Sequence, residues 1–405
     1  MKKELARAIL LGLLFLLSWI MYLDRAAIST AKPLIAGDLG LSDQAMGMVF
    51  GAFALGYAIA QVPSGWFADR VGPRVALAVV VTGWSIFTSL TGAVGTLTSM
   101  VAVRFLFGMA EAGAFPGSAR AFYNWLPTEQ HGRANGIIFS GSRLGAAFSF
   151  PILAVMMDHF GWRWAFLLLG LPGVVWAVVW LLWFRDRPPY PVPARPAAGE
   201  DVRLAEVFRS RPMLLAMGQY FASNFTFFIC LSWMHPYLMS QYRLSRETAA
   251  WYSMLVLLIG ATAQWVAGFL VDRLYASPYR AHSRRIPAIC GFLLSAAGLA
   301  LLRFSATPQV SVASFALATF GAEMTISPSW AFCIDLGKKR SGSVSGAMNM
   351  VGNLGSFVSA SIFPVMYSMT GDAMAYFFTA AVLNVTAAAL WVMMRTGKNS
   401  FETVT

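Results

Sequence analysis

Long apolar runs alternate along this chain with short polar clusters rich in Arg, Pro and Gly. A helix of about 20 apolar residues crosses the hydrocarbon layer of a bilayer. Cutting at the polar punctuation predicts twelve such segments, near 8–28, 45–64, 75–95, 97–119, 134–157, 164–183, 213–235, 249–271, 287–303, 309–331, 343–368 and 373–394, six in each half. The runs are continuous and rich in Leu, Ala, Phe, Gly and Met, with none of the strict alternation that strands of a membrane barrel show. The expected fold is an all-α membrane protein with 12 transmembrane helices in two six-helix bundles. Residues 1–184 form the expected N-terminal bundle, 185–212 a Pro-rich cytoplasmic linker, and 213–405 the C-terminal bundle with a cytoplasmic tail.

The halves repeat one another. Leu41-Ser42 matches Leu244-Ser245, Gln61 matches Gln264, Gly65 matches Gly268, and Asp69-Arg70 matches Asp272-Arg273, all at an offset of 203. A polar-punctuated register held over more than thirty residues marks an internal repeat.

Composition agrees: 58% of residues are hydrophobic, 12% are charged, and the mean hydropathy is +0.61. A soluble domain of this length needs more polar surface. The first apolar run follows Lys2, Lys3 and Arg7 as in a signal peptide, but it is too long, carries Asp24 and Arg25, and leads into further spans, so retention is expected. The net charge of +12 is topological rather than a nucleic-acid footprint. With a cytoplasmic N-terminus, twenty-two basic residues fall on the cytoplasmic side and five opposite, which places both termini inside. Cys230, Cys290 and Cys333 are scattered, with neither a disulfide framework nor metal-ligand spacing, so no metal and no cofactor is expected.

Between the second and third segments lies GWFADRVGPR, where Gly65 permits close helix approach, Asp69 can meet a helix dipole or a basic partner, and Gly72-Pro73 sets a turn before Arg74. With Arg70 and the repeat mates Asp272 and Arg273, these residues are expected to form a gate that locks and releases. The loop resembles the GxxxDRxGRR signature of the major facilitator superfamily, with Pro73 where a basic residue is usual and the second copy interrupted by LYASPYRAHS. MYLDRAAIS, LGYAIAQVPSGWFADR, RFLFGMAEAGAFPG, NWLPTEQHGRANGI and LSWMHPYL are similar to the anion:cation symporter family within it. That resemblance implies the major facilitator fold and transport of small organic anions, including sugar acids such as galactonate, glucarate and hexuronates.

Asp24, Arg25, Arg104, Glu111 and Arg143 stand inside predicted spans, where an ionised group facing lipid is expensive and should instead face an enclosed interior. Arg104 and Glu111 are seven residues apart, on one helix face and about 10 Å apart along the axis. Counted by depth, Glu111 and Arg143 lie near the midplane and are expected to face each other; fixed salt bridging of Asp24 or Glu111 with Arg104 is the competing account. The family resemblance assigns Arg25 and Arg104 to the substrate carboxylate or to gating, and Asp24 and Glu111 to the proton. Chemistry agrees, because a guanidinium fork suits a planar carboxylate, while a poorly solvated carboxylate can exchange a proton. Ser142 occupies a position where sugar-acid carriers of that family place an amide on substrate, and the following Arg143 suits a smaller or more acidic one. Tyr22 and Tyr57 offer hydroxyls in the N-terminal half. Tyr220, Asn224, Gln264, Ser327, Ser329, Asn349 and Asn353 are the uncharged polar candidates in the other, competing with plain interhelical packing; of these Asn224 and Asn353 are taken as substrate contacts.

The expected function is proton-coupled import of a small organic anion, a sugar acid, through alternating access to one central site. The protein is expected to act as a monomer in the bacterial inner membrane, with lipid, protons and the anion as its partners. No nucleophile–base pair or nucleotide-binding motif points to an enzyme. Transport or exchange of another mono- or dicarboxylate, and a nontransporting nutrient sensor, are the alternatives.

Overall fold

A computed structural model of the chain describes residues 3–190, 204–229 and 233–394. Residues 191–203 of the expected linker, and Cys230, lie outside the described residues. Regular structure among the described residues is helical: α1 (Lys3–Leu39), α2 (Asp43–Val71), α3 (Pro73–Thr91), α4 (Leu97–Glu111), α5 (Ala114–Trp125), α6 (His131–Trp183), α7 (Leu204–Arg209), α8 (Arg211–Phe228), α9 (Met234–Tyr242), α10 (Arg246–Tyr275), α11 (Arg285–Leu301), α12 (Pro308–Met324), α13 (Ile326–Gly337), α14 (Ser341–Thr370) and α15 (Met374–Met393).

The polar punctuation of the repeat consists largely of helix caps. Ser42 accepts a hydrogen bond from the Ala45 amide at the start of α2, and its repeat mate Ser245 accepts one from Thr248 at the start of α10. Thr96 and Thr307 cap α4 and α12 in the same way. Pro73 and Pro308 occupy first-turn positions, where the missing amide hydrogen costs nothing.

Nine stretches among the described residues are long and apolar enough to cross a membrane. They differ from the twelve expected segments in three places. In α6, broken at Gly161 (φ 73), Val155–Trp183 qualifies, and the expected segment 134–157 runs into 150, 151 and 154, whose side chains lie outside the described residues. Residues 308–370 count as one stretch spanning two expected segments, and the expected segment 213–235 runs into 230–232, outside the described residues.

Polarity is inverted relative to a soluble protein. Large apolar side chains such as Val79, Leu182, Phe304 and Phe378 are exposed, whereas Asp24, Arg104, Glu111 and Glu323 are buried. Such an exterior is suited to lipid, where the hydrocarbon offers no hydrogen-bond partners and charges must turn inward.

The chain divides into two compact units. The first comprises Met1–Pro127, Gly141–Gly199 and Ile334–Met350; the second comprises Thr128–Ser140, Glu200–Cys333 and Val351–Thr405. The first unit has a core including Leu23, Ile28, Val49, Met100, Leu153 and Phe166. That of the second includes the aromatics Phe225, Phe315, Tyr376 and Phe377, linked by ring contacts. Within the first unit α2 packs closely on α4: a Cβ on Gly108 would stand 2.2 Å from the Phe53 carbonyl oxygen. That approach sets Phe53 and Tyr57 of α2 against Arg104 and Glu111 of α4.

Candidate functional site

In the first unit, α1, α2, α4 and the α6 segment from Gly141 gather eight of the residues expected to bind substrate or proton. Arg25 donates from Nε to Glu111 Oε2 at 2.7 Å, and its guanidinium lies 4.5 Å from the Tyr57 ring centroid, 5.0 Å from Tyr22 and 5.2 Å from Phe53. Three aromatic faces around one cation hold it by quadrupole attraction, worth up to about 2 kcal/mol per desolvated contact. Arg104, 2% exposed, lies 4.3 Å from the Phe107 centroid and 5.2 Å from Phe53. Both guanidiniums therefore contact the one Phe53 ring. Asp24 is buried and accepts from the Thr88 hydroxyl at 3.4 Å. Arg143 donates to the Tyr22 hydroxyl at 3.4 Å, and the preceding Ser142 is fully buried.

One expectation is corrected by this geometry. Glu111 makes its ion pair with Arg25, rather than with Arg143 or Arg104. Depth along the bilayer normal placed Glu111 and Arg143 together, but pairing depends on which helices are neighbours and which faces they turn, and α4 presents Glu111 to α1.

The pairing leaves polar capacity in the site. Asp24 Oδ1, Arg25 Nη2, Arg104 Nε and Glu111 Oε1 are buried without a hydrogen-bond partner among the described residues. Buried polar atoms are normally satisfied, and groups left over from charged side chains are the costliest exceptions. Two guanidiniums with unused donors thus stand beside two carboxylates with unused acceptors, an arrangement able to take up an anion and a proton.

Sequence reading missed Phe53 and Glu323. Phe53 could have been found as the residue one turn before Tyr57, on the same face of α2. Glu323 is buried in α12 and accepts a hydrogen bond from Gln264 Nε2. As a glutamate inside an apolar predicted span it carried the same signal as Glu111. Asn349, at the start of α14, belongs to the first unit, where its amide donates to Gln61 Oε1 at 3.1 Å and to the Tyr57 hydroxyl at 3.4 Å. Asn224 and Asn353 belong to the second unit, and Asn224 donates to the Tyr220 carbonyl at 3.0 Å.

The residues expected to gate are placed as follows. Asp69 accepts from the Gly342 amide at 2.9 Å, the Ser343 amide at 2.8 Å and the Ser343 hydroxyl at 2.7 Å, which puts its charge at the positive N-terminal end of α14. In the second unit Asp272 does the same for α6, accepting from the Arg133 amide at 3.1 Å, with Arg133 Nε at 3.8 Å. Gly72, with φ 88, turns the chain so that the Arg74 amide donates to Asp186 at 3.0 Å and its guanidinium to the Leu181 carbonyl. Arg70 and Arg273 lie over Trp66 and Phe269.

A Cβ on Gly65 would stand 2.3 Å from the Gly342 carbonyl oxygen. Gly65→Ala is therefore expected to push α2 away from α14, lengthen the Asp69 hydrogen bonds and cost about 1–3 kcal/mol, as overpacking does elsewhere. A thermal melt of the purified protein, beside Gly12→Ala, where a Cβ meets nothing within 4 Å, checks it.

A helical protein with a lipid-facing apolar exterior, an internal repeat and charges gathered in its interior is a polytopic membrane transporter. The chain belongs to the Major Facilitator Superfamily, whose model matches residues 14–360. It is 31% identical to a probable sulfoacetate transporter of Cupriavidus necator over 95% of this chain and 93% of that one. It is 30% identical to a hexuronate transporter of Bacillus subtilis over 92% of this chain and 91% of the relative. The solved structure of a proton:xylose symporter superposes with a TM-score of 0.76 at 15% identity, covering 95% of each chain, and shares the fold.

Proposed function

We propose that this protein imports a small organic anion, a sugar acid, together with protons. It does so by alternating access, as a monomer of twelve transmembrane helices in two six-helix bundles, in the bacterial inner membrane with both termini cytoplasmic. The 31% and 30% identities to carriers named for sulfoacetate and hexuronate support the substrate class. The observation that carries the mechanism is the buried pair of Arg25 and Glu111.

Arg25 cannot fully serve two anions. While Glu111 is ionised it holds the Nε–H of Arg25; once Glu111 binds a proton, that donor turns to a substrate carboxylate, which accepts two parallel N–H bonds from the planar fork. Anion and proton then promote each other's binding, and linkage makes the effect reciprocal. Arg104, against the same Phe53 ring, supplies the second guanidinium, and Asp24 the second carboxylate. Asp69 and Asp272 act as gate latches, each releasing a helix N-terminus when the transporter changes state. Gly65, Arg70, Gly72, Arg74 and Arg273 shape the loops that carry them.

Arg143 favours a second reading of the substrate. A third guanidinium bonded to the Tyr22 hydroxyl suits an anion with two acidic groups, such as a short sulfonated carboxylate, better than a long polyhydroxy chain.

Uptake into proteoliposomes of galactonate, glucarate, glucuronate and sulfoacetate, with and without an inward acid gradient, tests both readings. Accumulation above equilibrium only with the gradient is expected, for a sugar acid on the first reading and for sulfoacetate on the second. No uptake of any of the four would overturn the proposal.

A further inference from the structure

Among the described residues, Glu323 is the one buried carboxylate of the second unit that neither the anion site nor the latches use. Its place in the helix and the local sequence repeat those of Glu111, although its partner differs. Ala110-Glu111 is followed by Pro116 five residues on, and Ala322-Glu323 by Pro328 five residues on. Each glutamate lies in the last turn of its helix, because α4 ends at Glu111 and α12 at Met324, and each helix is followed at once by a short continuation, α5 or α13. Both side chains are buried. Each helix packs on a repeat mate, α4 on α2 and α12 on α10, which are related by the offset of 203.

We infer that Glu323 is a proton-binding residue of the second unit, the internal counterpart of Glu111, and that Gln264 is its hydrogen-bond partner in both protonation states.

The chemistry of the partner carries this step. An amide has both a donor and an acceptor end, whereas a guanidinium only donates. Gln264 Nε2 donates to Glu323 Oε2, and Gln264 Oε1 is buried with no hydrogen-bond partner among the described residues. Turning the amide over would let Oε1 accept from a protonated carboxyl, so the pair stays bonded whether or not the proton is present. Which end of an amide faces its partner is itself set by the network, and a change of protonation reverses it. Helix packing confines this exchange: a Cβ on Gly260, one turn before Gln264, would lie 3.3 Å from Glu323 Cγ.

The elements packed on α12 carry their charged residues at or near their ends, while Tyr220 of α8 and Cys290 of α11 stand further in. On α10 the charged residues are Arg246 and Glu247 at the start and Asp272 and Arg273 at the finish; on α8, Arg211; on α11, Arg285. α9 carries His235, and Arg303 follows α11. Asp272 is eight residues beyond Gln264, about 12 Å along α10.

The inference rests on proton symport as proposed above, and two readouts keep the two apart. The first uses no substrate: the full-length protein in liposomes is titrated by infrared difference spectroscopy, following the protonated-carboxyl C=O band. Glu323→Gln is expected to remove one titrating band, Glu323→Asp to retain it at a shifted frequency, and Gln264→Leu to shift it. Identical titrations of wild type and Glu323→Gln would overturn the inference whatever the protein transports. If Glu323→Gln does not fold, an unshifted spectrum in Gln264→Leu overturns it instead. The second readout is accumulation of sulfoacetate or glucuronate under a gradient of one pH unit. One proton fewer per cycle lowers the accumulation ratio about tenfold, and Glu323→Gln is expected to show that loss while Glu323→Asp does not. A wild-type ratio in Glu323→Gln, or equal losses in Gln and Asp variants, would overturn the assignment. If the wild type moves neither probe, the transport reading fails and the infrared titration still decides the role of Glu323.

Discussion

Glu111→Gln is expected to lower the accumulation driven by one unit of pH gradient about tenfold, the equivalent of one proton, while exchange of labelled for unlabelled anion at equal pH persists. The two assays separate because exchange requires binding and reorientation of the loaded protein without net proton movement. Glutamine matches glutamate in size and can still accept from Arg25 Nε, so the substitution removes the titration with little change in packing. In wild type the ion pair at 2.7 Å makes anion binding compete with Glu111 unless a proton intervenes. The variant keeps its guanidinium free of an ionised partner at all pH values, so its anion affinity should lose the pH dependence that Glu111 confers. Coupling free energies of about 1–3 kcal/mol correspond to 5–150-fold in affinity, well within reach of a binding titration at two pH values. Wild-type accumulation in Glu111→Gln, with affinity still following pH, would reject its role as proton carrier.

The second large effect belongs to Arg25. Arg25→Ala removes the cation from among Tyr22, Phe53 and Tyr57 and leaves Glu111 buried and unpaired, a change that costs about 3–5 kcal/mol where buried pairs have been broken elsewhere. Anion binding is expected to fall at least about a hundredfold, and the thermal melt to fall with it, unless Glu111 takes up a proton permanently. Arg25→Lys distinguishes charge from shape: the ammonium can still pair with Glu111 but has no planar fork to lay against three rings or to grip a carboxylate with two parallel bonds. Stability should therefore recover in Arg25→Lys and anion binding should not. Calorimetry with the transported anion, beside a melt of the same preparation, gives both numbers. Recovery of binding in the lysine variant would mean that Arg25 acts only as a counter-charge.

Much of the site was legible because charged residues are so costly in lipid that any found in an apolar run call for an enclosed interior. That argument found Asp24, Arg25, Arg104, Glu111 and Arg143 from their positions alone. The same argument applies to Glu323 with equal force, although no arginine accompanies it on its helix as Arg104 accompanies Glu111. Phe53 carried no signal of its own, since an aromatic in an apolar run is ordinary. Its contact with both Arg25 and Arg104 arises from the close packing of α2 on α4. Asp69 was legible as a charge near a helix end, but its acceptor role for α14, 273 residues away along the chain, was not.

The sequence by itself determined the helical class, the repeated halves, the caps that begin their helices and the residues too charged to face lipid. These follow from local rules: hydrophobic length, capping chemistry and the cost of a buried charge. Only the tertiary structure decided that Glu111 pairs with Arg25, that Asn349 reaches Gln61, and that the first turn of α14 belongs with the end of α2. Periodicity and depth assign a residue to a face and a level of its own helix. They do not say which helix stands opposite, because that is settled by how closely whole helices pack.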